Sequence, residues 1–421
     1  MKYFFIFSLF FLNYFFLTAQ ETTINDTTET YQKDAVNIFI DCPGFDLNHI
    51  KENIRFVNYV RDRKEAYVHI MVTNQITGSG GSEYSVLFIG QFQFSGANDT
   101  LKFSTEPTST VEETRTLLLN VLKLGLIKYI AKTPQAAHIS IQYTGESDSE
   151  GDKIKDKWNN WVFNLNLGGW FQGEDSYKYS NAWGSISARQ ITPDWKIIFS
   201  ASDSYSESFY VIDDTTDYFS KNNSSSFRNL TVKSLNDHFS VGCGFNMNSS
   251  TYNNYKLKAS VAPAFEYNLF KYKESTQRQL RFLYSLGATH ATYNDTTIYT
   301  KIKEMLYYQS LQIAFQYIEK WGSVNFSVSG SNYLHDISKN SFDIYGSCSL
   351  RLFKGFSLNL SAGYSFVRDQ LSLPREGASS EEILLRIRAL QTSYSYWANA
   401  GLSYTFGSIY NNIVNPRFGE E

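Results

Sequence analysis

Residues 356–366 read FSLNLSAGYSF, and every second residue of this stretch is apolar. The apolar positions are Phe356, Leu358, Leu360, Ala362, Tyr364 and Phe366, with Ser, Asn or Gly between them. Because successive side chains of a strand point to opposite faces, a period of two predicts a β-strand with one apolar face. That face packs either on the core of a soluble protein or on lipid.

The same alternation recurs along most of the chain. Strong examples begin at Trp161, Phe239, Leu257, Leu280, Leu311, Val324, Phe342 and Tyr394, and weaker runs lie near 177–189, 195–209 and 227–234. Together with the opening stretch, these segments predict 12 strands between residues 159 and 408.

Three features favour lipid as the contact of the apolar face. The polar face carries Ser, Asn, Gly and Thr rather than Lys and Glu, which suits a narrow hydrated lumen. The apolar runs are about 9–13 residues long, as a tilted membrane strand requires. Tight connections such as TPDW and LNDH alternate with the long polar segments 207–226, 291–307 and 367–391. The predicted fold class is therefore membrane all-β, an antiparallel transmembrane β-barrel of about 12 strands preceded by a small α+β domain.

The chain before the barrel divides by composition. The predicted segments are a signal peptide (1–19), a disordered segment (20–35), a periplasmic α+β domain (36–145), a linker (146–158), the barrel (159–408) and a periplasmic C-terminal tail (409–421). In the α+β domain, Thr110 and Glu113 form a capping box for a long amphipathic helix, and HISIQYTG (138–145) is expected to be a closing strand.

Composition excludes several classes. A formal net charge of -3 gives no reason to expect a nucleic-acid partner. No stretch after residue 20 is apolar for long enough to be a membrane helix. The sequence contains no phosphate-binding, esterase or metal motif, so no cofactor and no metal are expected.

The C-terminus carries a family resemblance. A closing strand that ends in Tyr404-Thr405-Phe406 resembles the signal that the barrel-assembly machinery reads. The tail YTFGSIYNNIVNPRF (404–418), the segment 41–73 (DCPGFDLNHI to YVHIMVT) and EEILLRIRALQTSY (381–394) resemble an uncharacterised family of Gram-negative outer-membrane β-barrel proteins with an N-terminal periplasmic α+β domain. The order of elements in that domain is similar to the N-terminal domain of the periplasmic protein TolB. The resemblance implies architecture and no activity.

Charged residues of the barrel supply the first set of candidate site residues. By strand parity, the residues expected in the lumen are Arg189, Lys196, Lys233, Lys256, Lys258, Glu266, Arg281, Asp343 and Arg351. Seven of these are basic and two are acidic, an excess of five positive charges that would attract anions. The alternative is that most lie at the periplasmic rim and serve no transport.

A second set lies in the predicted outer loops. Asp213, Asp214, His335 and Asp336 are expected at the outer mouth, where carboxylates and a His-Asp pair activate water in barrel proteases. Asp and His are also ordinary loop residues, so whether the protein is an enzyme stays uncertain and a non-enzyme is favoured.

Three functions stay open at this point. The favoured one is a narrow porin-like channel or membrane scaffold with a periplasmic partner-binding domain. The others are an outer-mouth hydrolase or protease, and a structural anchor or adhesin. The expected partners are outer-membrane lipid, the barrel-assembly machinery during biogenesis and a periplasmic protein.

We predict that the mature protein fractionates with outer membranes. A folded barrel resists detergent at low temperature, so its gel mobility should shift on heating. Recovery in the soluble periplasmic fraction would contradict the membrane interpretation.

Overall fold

A computed structural model describes residues 32–78, 80–142, 156–213, 216–377, 389–410, 412 and 417. In this part of the chain, two sheets of five and twelve strands account for most residues.

The first sheet belongs to a small α+β domain. Its elements are β1 (Asn37–Asp41), α1 (Leu47–Asn53), β2 (Asn58–Tyr59), β3 (Val68–Ile76), β4 (Ser82–Gly90), β5 (Asp99–Thr105) and α2 (Val111–Ile130). The strand order is β2-β1-β3-β4-β5, with β1 parallel to both neighbours and the other pairs antiparallel.

Helix α2 covers one face of this sheet. The predicted capping box is present, because the Thr110 hydroxyl accepts from the Glu113 N–H and the Glu113 carboxylate accepts from the Thr110 N–H. Leu118, Leu122 and Leu126 of α2 are buried against the sheet, at the three- and four-residue steps of one helix face. This packing forms the core of the domain.

The other face of the small sheet is also covered. Alternate residues of β3 point away from α2, and His69, Met71 and Thr73 among them are buried. They lie against the turn end of the larger sheet, so β3 is buried on both faces.

The larger sheet contains the predicted 12 strands. They are β6 (Trp161–Gly173), β7 (Tyr177–Ile191), β8 (Trp195–Asp213), β9 (Thr216–Ser234), β10 (Phe239–Ser250), β11 (Tyr255–Asn268), β12 (Arg278–Tyr293), β13 (Lys303–Glu319), β14 (Gly322–Tyr333), β15 (Asn340–Phe353), β16 (Phe356–Val367) and β17 (Tyr394–Tyr404). Each pairs antiparallel with the next along the chain. The predicted fold class is confirmed.

One phase of alternation runs through the whole sheet. Residues directly opposite each other share a face, and Phe342 lies opposite Phe366, Ile344 opposite Tyr364. The apolar face stays exposed in the isolated chain, as Leu167 at 79% shows. Such an apolar surface must be covered, and a lipid bilayer covers it on every strand at once. No helix in the described ranges is long and apolar enough to cross a membrane.

Contacts with the small domain require the large sheet to curl. Ile191 of β7 lies beside Gly78, and Arg351 of β15 bonds to Asp41. A flat sheet would separate β7 from β15 by roughly 38 Å, whereas Gly78 and Asp41 are at most roughly 25 Å apart along β3. The curled sheet encloses a lumen lined by the polar face. Strands β6 and β17 are the two ends of the sheet order and run antiparallel, so their pairing in the bilayer would leave no unpaired backbone edge.

Two predicted segments differ from the structure. Much of the expected loop 207–226 is strand, because β8 and β9 extend as a ribbon to Asp213 and from Thr216. Polar residues occupy that ribbon because backbone pairing does not require an apolar face outside hydrocarbon. The strand expected over 138–145 is absent from residues 139–142, and residues 143–145 lie outside the described ranges.

We predict that Gly125→Ala destabilises the small domain by about 1–2 kcal/mol. A Cβ at Gly125 would lie 2.1 Å from the Phe88 ring, and overpacking outweighs the gain in helix propensity. Urea unfolding of the detergent-solubilised chain, followed by far-UV circular dichroism, measures the change. The control Leu124→Ala, on an exposed side chain of the same helix, should shift stability by no more than about 0.5 kcal/mol.

Candidate functional site

The strand registers assign a face to most of the predicted lumen charges. Arg189, Lys196, Glu266, Arg281 and Arg351 lie on the polar face near the end of the barrel with the short turns. Lys258 and Asp343 lie on the same face near the opposite, long-loop end. Most of these charges are therefore close to one rim, as the alternative interpretation expected.

The position of Lys233 in the structure differs from the predicted position in the lumen. Its register partners are Trp195 and Val241, which belong to the apolar face, and its ammonium lies 5.4 Å from the Trp195 ring centroid. The alternation in the sequence indicated the wrong face for Lys233, because the apolar Leu230 and Val232 of β9 face the lumen. Lys256 lies in a bulge between Tyr255 and Leu257 and has no register partner.

Two charged residues of the lumen were not predicted from the sequence. Arg228 of β9 and Glu304 of β13 both lie on the polar face. The charged residues that the registers place there are Arg189, Lys196, Arg228, Lys258, Arg281, Arg351, Glu266, Glu304 and Asp343. Six basic and three acidic residues leave an excess of three positive charges, against the five expected.

The lumen acids are all engaged. The Arg281 guanidinium lies 3.9 Å from the Glu266 carboxylate, the Tyr293 hydroxyl donates to Glu304 at 2.5 Å, and the Ser365 hydroxyl donates to Asp343 at 2.6 Å. Local pairing of this kind weakens the net field along the lumen.

Of the candidate catalytic residues, the structure describes the side chains of His335 and Asp336. Asp214 and the side chain of Asp213 lie outside the described residues. Asp336 accepts from the Ser338 hydroxyl and N–H, and these bonds lower the pKa of its carboxyl. A general base benefits from a raised pKa, so Asp336 has the opposite shift. The His335 ring lies tilted against the Tyr333 ring, with centroids 5.7 Å apart.

The structure instead brings together residues from the small domain and the short-turn rim. The Arg351 guanidinium donates to the Asp41 carboxylate at 2.6 Å, and the Lys354 ammonium lies 2.5 Å from the Glu65 carboxylate. Gly355 donates its N–H to the Asp62 carboxylate at 2.8 Å. Two ion pairs and a charge-assisted hydrogen bond therefore fasten the domain to the β15–β16 turn.

The chain end fastens the opposite edge of the small sheet. Tyr410 forms an antiparallel bridge with Val60, the Arg61 N–H donates to the Ile409 carbonyl at 2.9 Å, and the Tyr59 N–H donates to the Asn412 side chain at 2.7 Å. Residues 407–410 and 412, called the tail strand below, thus extend the sheet beyond β2. The described part of the predicted C-terminal tail therefore contacts the domain.

The β3–β4 hairpin reaches the other side of the rim. Gly78 lies against Ile191, and Gly80 lies close to the Arg189 guanidinium. A cavity of about 320 Å³ lies between this hairpin and the two ion pairs, where it separates β3 from the polar face of β13–β15. The domain therefore contacts the rim at β7, at the β15–β16 turn and through the tail strand. These contacts place it across the short-turn opening of the barrel.

The long-loop end of the lumen is also partly filled. Leu371 and Leu373 are buried, and the Leu373 carbonyl accepts from the Ile298 N–H at 2.9 Å. Tyr293 and Leu306, whose side chains point into the lumen, are almost completely buried beneath this loop. The segment SSEEILLRIRALQ (379–391), whose sequence predicts a helix that either caps the barrel mouth or binds a partner, lies outside the described ranges as far as residue 388.

His69 is a titratable group sealed within the domain contact. It is fully buried, and neither ring nitrogen has a hydrogen-bond partner among the described residues. Burial lowers its pKa to about 4; the nearby Asp41 opposes this shift, and Arg351, Arg63 and Lys320 reinforce it. The imidazole is therefore neutral when the domain is docked. Among the described residues, no group of His, Cys, Asp and Glu could hold a metal ion.

Comparisons with known proteins add little to this geometry. No protein-family model and no curated protein matches the chain. Among solved structures, it is similar to the translocator domain of the autotransporter NalP from Neisseria meningitidis. The sequence identity is 10% and the TM-score 0.25, over 58% of this chain and 87% of that one. A likeness of this size carries no inference about function.

We predict that acid weakens the docked domain through His69. The unfolded imidazole binds a proton below about pH 6.5, whereas the folded one does so only near pH 4, so stability falls as the pH drops through that interval. Between about pH 6.5 and pH 5, the free energy of unfolding should fall by about 1–2 kcal/mol. Thermal unfolding of the full chain, followed by circular dichroism, measures it.

His69→Met provides the matched control for that experiment. It keeps a side chain of similar size and removes the titration, while Asp41 and Arg351 stay in place. If acid lowers the stability of both proteins equally, the effect belongs to titratable groups other than His69.

Proposed function

We propose that this chain is an outer-membrane scaffold whose barrel holds a periplasmic α+β domain in a fixed orientation over its inner opening. The observation that supports this proposal is the docking of the domain on the barrel, through the Asp41–Arg351 and Glu65–Lys354 ion pairs and the tail strand. A domain attached only by a linker needs none of these contacts.

Coverage of both lumen ends favours a scaffold over an open channel. The domain lies across the short-turn end, and the loop that contains Leu371 and Leu373 packs into the long-loop end. The reduced charge excess on the polar face also weakens the case for anion transport.

The scaffold leaves the far side of the domain free to bind a periplasmic partner. Helix α2 faces away from the barrel, and Val111 and Leu124 on it are 71% and 62% exposed. Beside its start lies a cavity of about 500 Å³, lined by Phe45, Tyr84 and Arg115 among others. Val111 also lines this cavity, and an exposed apolar side chain beside a concave surface is typical of partner-binding sites.

We predict that the full chain does not conduct ions in planar bilayers, whether or not the domain is fixed in place. Gly78→Cys with Ile191→Cys should cross-link in membranes, because a Cβ on Gly78 would lie 2.8 Å from the Ile191 Cβ. The native cysteines Cys42, Cys243 and Cys348 are replaced by Ala in this background. Conductance is then compared before and after reduction.

Each outcome separates the functions. No conductance in either state supports the scaffold. Conductance only after reduction would make the domain a movable plug of a gated channel, and conductance in the oxidised state would make it an open pore. Gly78→Cys with Ile197→Cys is the cross-linking control, because Ile197 lies on the apolar face of β8.

A further inference from the structure

The contact between domain and rim contains a basic cavity. The turn 61–65 of the domain and the β15–β16 turn enclose about 160 Å³. Arg61, Arg63, Lys64, Phe353 and Phe356 are among the residues that line it. The domain thus supplies most of the cationic groups and Phe39, and the barrel supplies Arg351 and the other two aromatic rings.

Charge in the cavity is only partly compensated. Asp62 already accepts from the N–H groups of Lys64 and Gly355. Glu65 is paired with Lys354, and Asp41 with Arg351. Five basic side chains and three acidic ones thus leave an excess of two positive charges around the cavity. The Arg61 Nε is buried without a hydrogen-bond partner, although another nitrogen of its guanidinium donates to the Gly407 carbonyl at 3.1 Å. The excess positive charge of the surrounding side chains favours an anion in the cavity.

The cavity lies at the level of lipid headgroups. Phe353 and Phe356 stack with ring centroids 4.6 Å apart, and Tyr404 lies beside them. Phe353, Tyr404 and Phe406 are 55%, 58% and 76% exposed at the short-turn end of the apolar face. Aromatic residues at the end of an apolar band mark the membrane interface, so acyl chains and a phosphate would meet at this point.

We propose that this cavity binds the phosphate of an anionic phospholipid of the periplasmic leaflet, with Arg63 and Lys64 as its main charge contacts. The choice of leaflet rests on the proposed function, which places the short turns in the periplasm. Basic groups beside a bilayer each favour anionic lipid, and here they are held at a fixed depth by the docked domain.

Native mass spectrometry of the full chain in non-ionic detergent tests the site with phosphatidylglycerol and phosphatidylcholine as probes. The first phosphatidylglycerol should bind more tightly than phosphatidylcholine. Arg63→Gln with Lys64→Gln should weaken it about tenfold or more. The charge-preserving pair Arg63→Lys with Lys64→Arg should stay within about threefold of the native protein.

A matched control removes the same charge elsewhere. Lys123→Gln with Lys132→Gln changes α2 and the residues after it, on the far side of the domain, and should leave lipid binding unchanged. Equal affinity for the two lipids, or an equal loss in the control, would overturn the proposal. Displacement of phosphatidylglycerol by inorganic phosphate at equal concentration would assign the cavity to the free anion instead.

The Gly78–Ile191 cross-link separates this proposal from the scaffold. A double variant that still cross-links and still binds phosphatidylglycerol normally refutes the lipid site alone. If the double variant no longer cross-links, the single variant Arg63→Gln replaces it, and unchanged binding there refutes the site. A native chain that fails to cross-link refutes the docked scaffold.

Discussion

The need to pair every backbone group inside lipid governs this structure. Twelve antiparallel strands meet that need only if one face of each stays apolar in a single phase, and the registers keep that phase from Trp161 to Tyr404. A one-residue slip in any pair would turn a row of Ser and Asn toward hydrocarbon. The phase therefore fixes where the short turns lie, and those turns form the surface on which the small domain rests.

That surface explains why the domain contact is polar. The end of the apolar band is partly hydrated, so Arg351 and Lys354 keep their charge there and pair with Asp41 and Glu65. Exposed pairs contribute little each, and the backbone bonds of the tail strand give the contact its register. Because Asn412 follows the last barrel strand, its bond to Tyr59 can form only after β17 has been made.

Much of the fold was predictable because a two-residue period is a local signal. It predicted the number of strands and the face of seven of the nine charged residues assigned to the lumen. It failed at Lys233, because Leu230 and Val232 of β9 point inward and only the pairing with Val241 reveals the true face. It also misjudged 207–226, where strands continue beyond lipid without alternation. The contact of 41–73 with the tail was invisible for a different reason. No local pattern records which surfaces meet across roughly 350 residues of the chain.

The turn 61–65 acquires its meaning from this long-range contact. Read alone, its alternating charges are typical of a solvated turn. In the folded chain, Asp62 and Glu65 point to the rim and are neutralised there, which leaves Arg63 and Lys64 beside the aromatic end of the apolar band. Acids that dock the domain and bases that face the membrane thus come from one short segment. A basic segment next to a bilayer strengthens attachment to anionic lipid, so lipid binding and docking stabilise the same orientation of the domain.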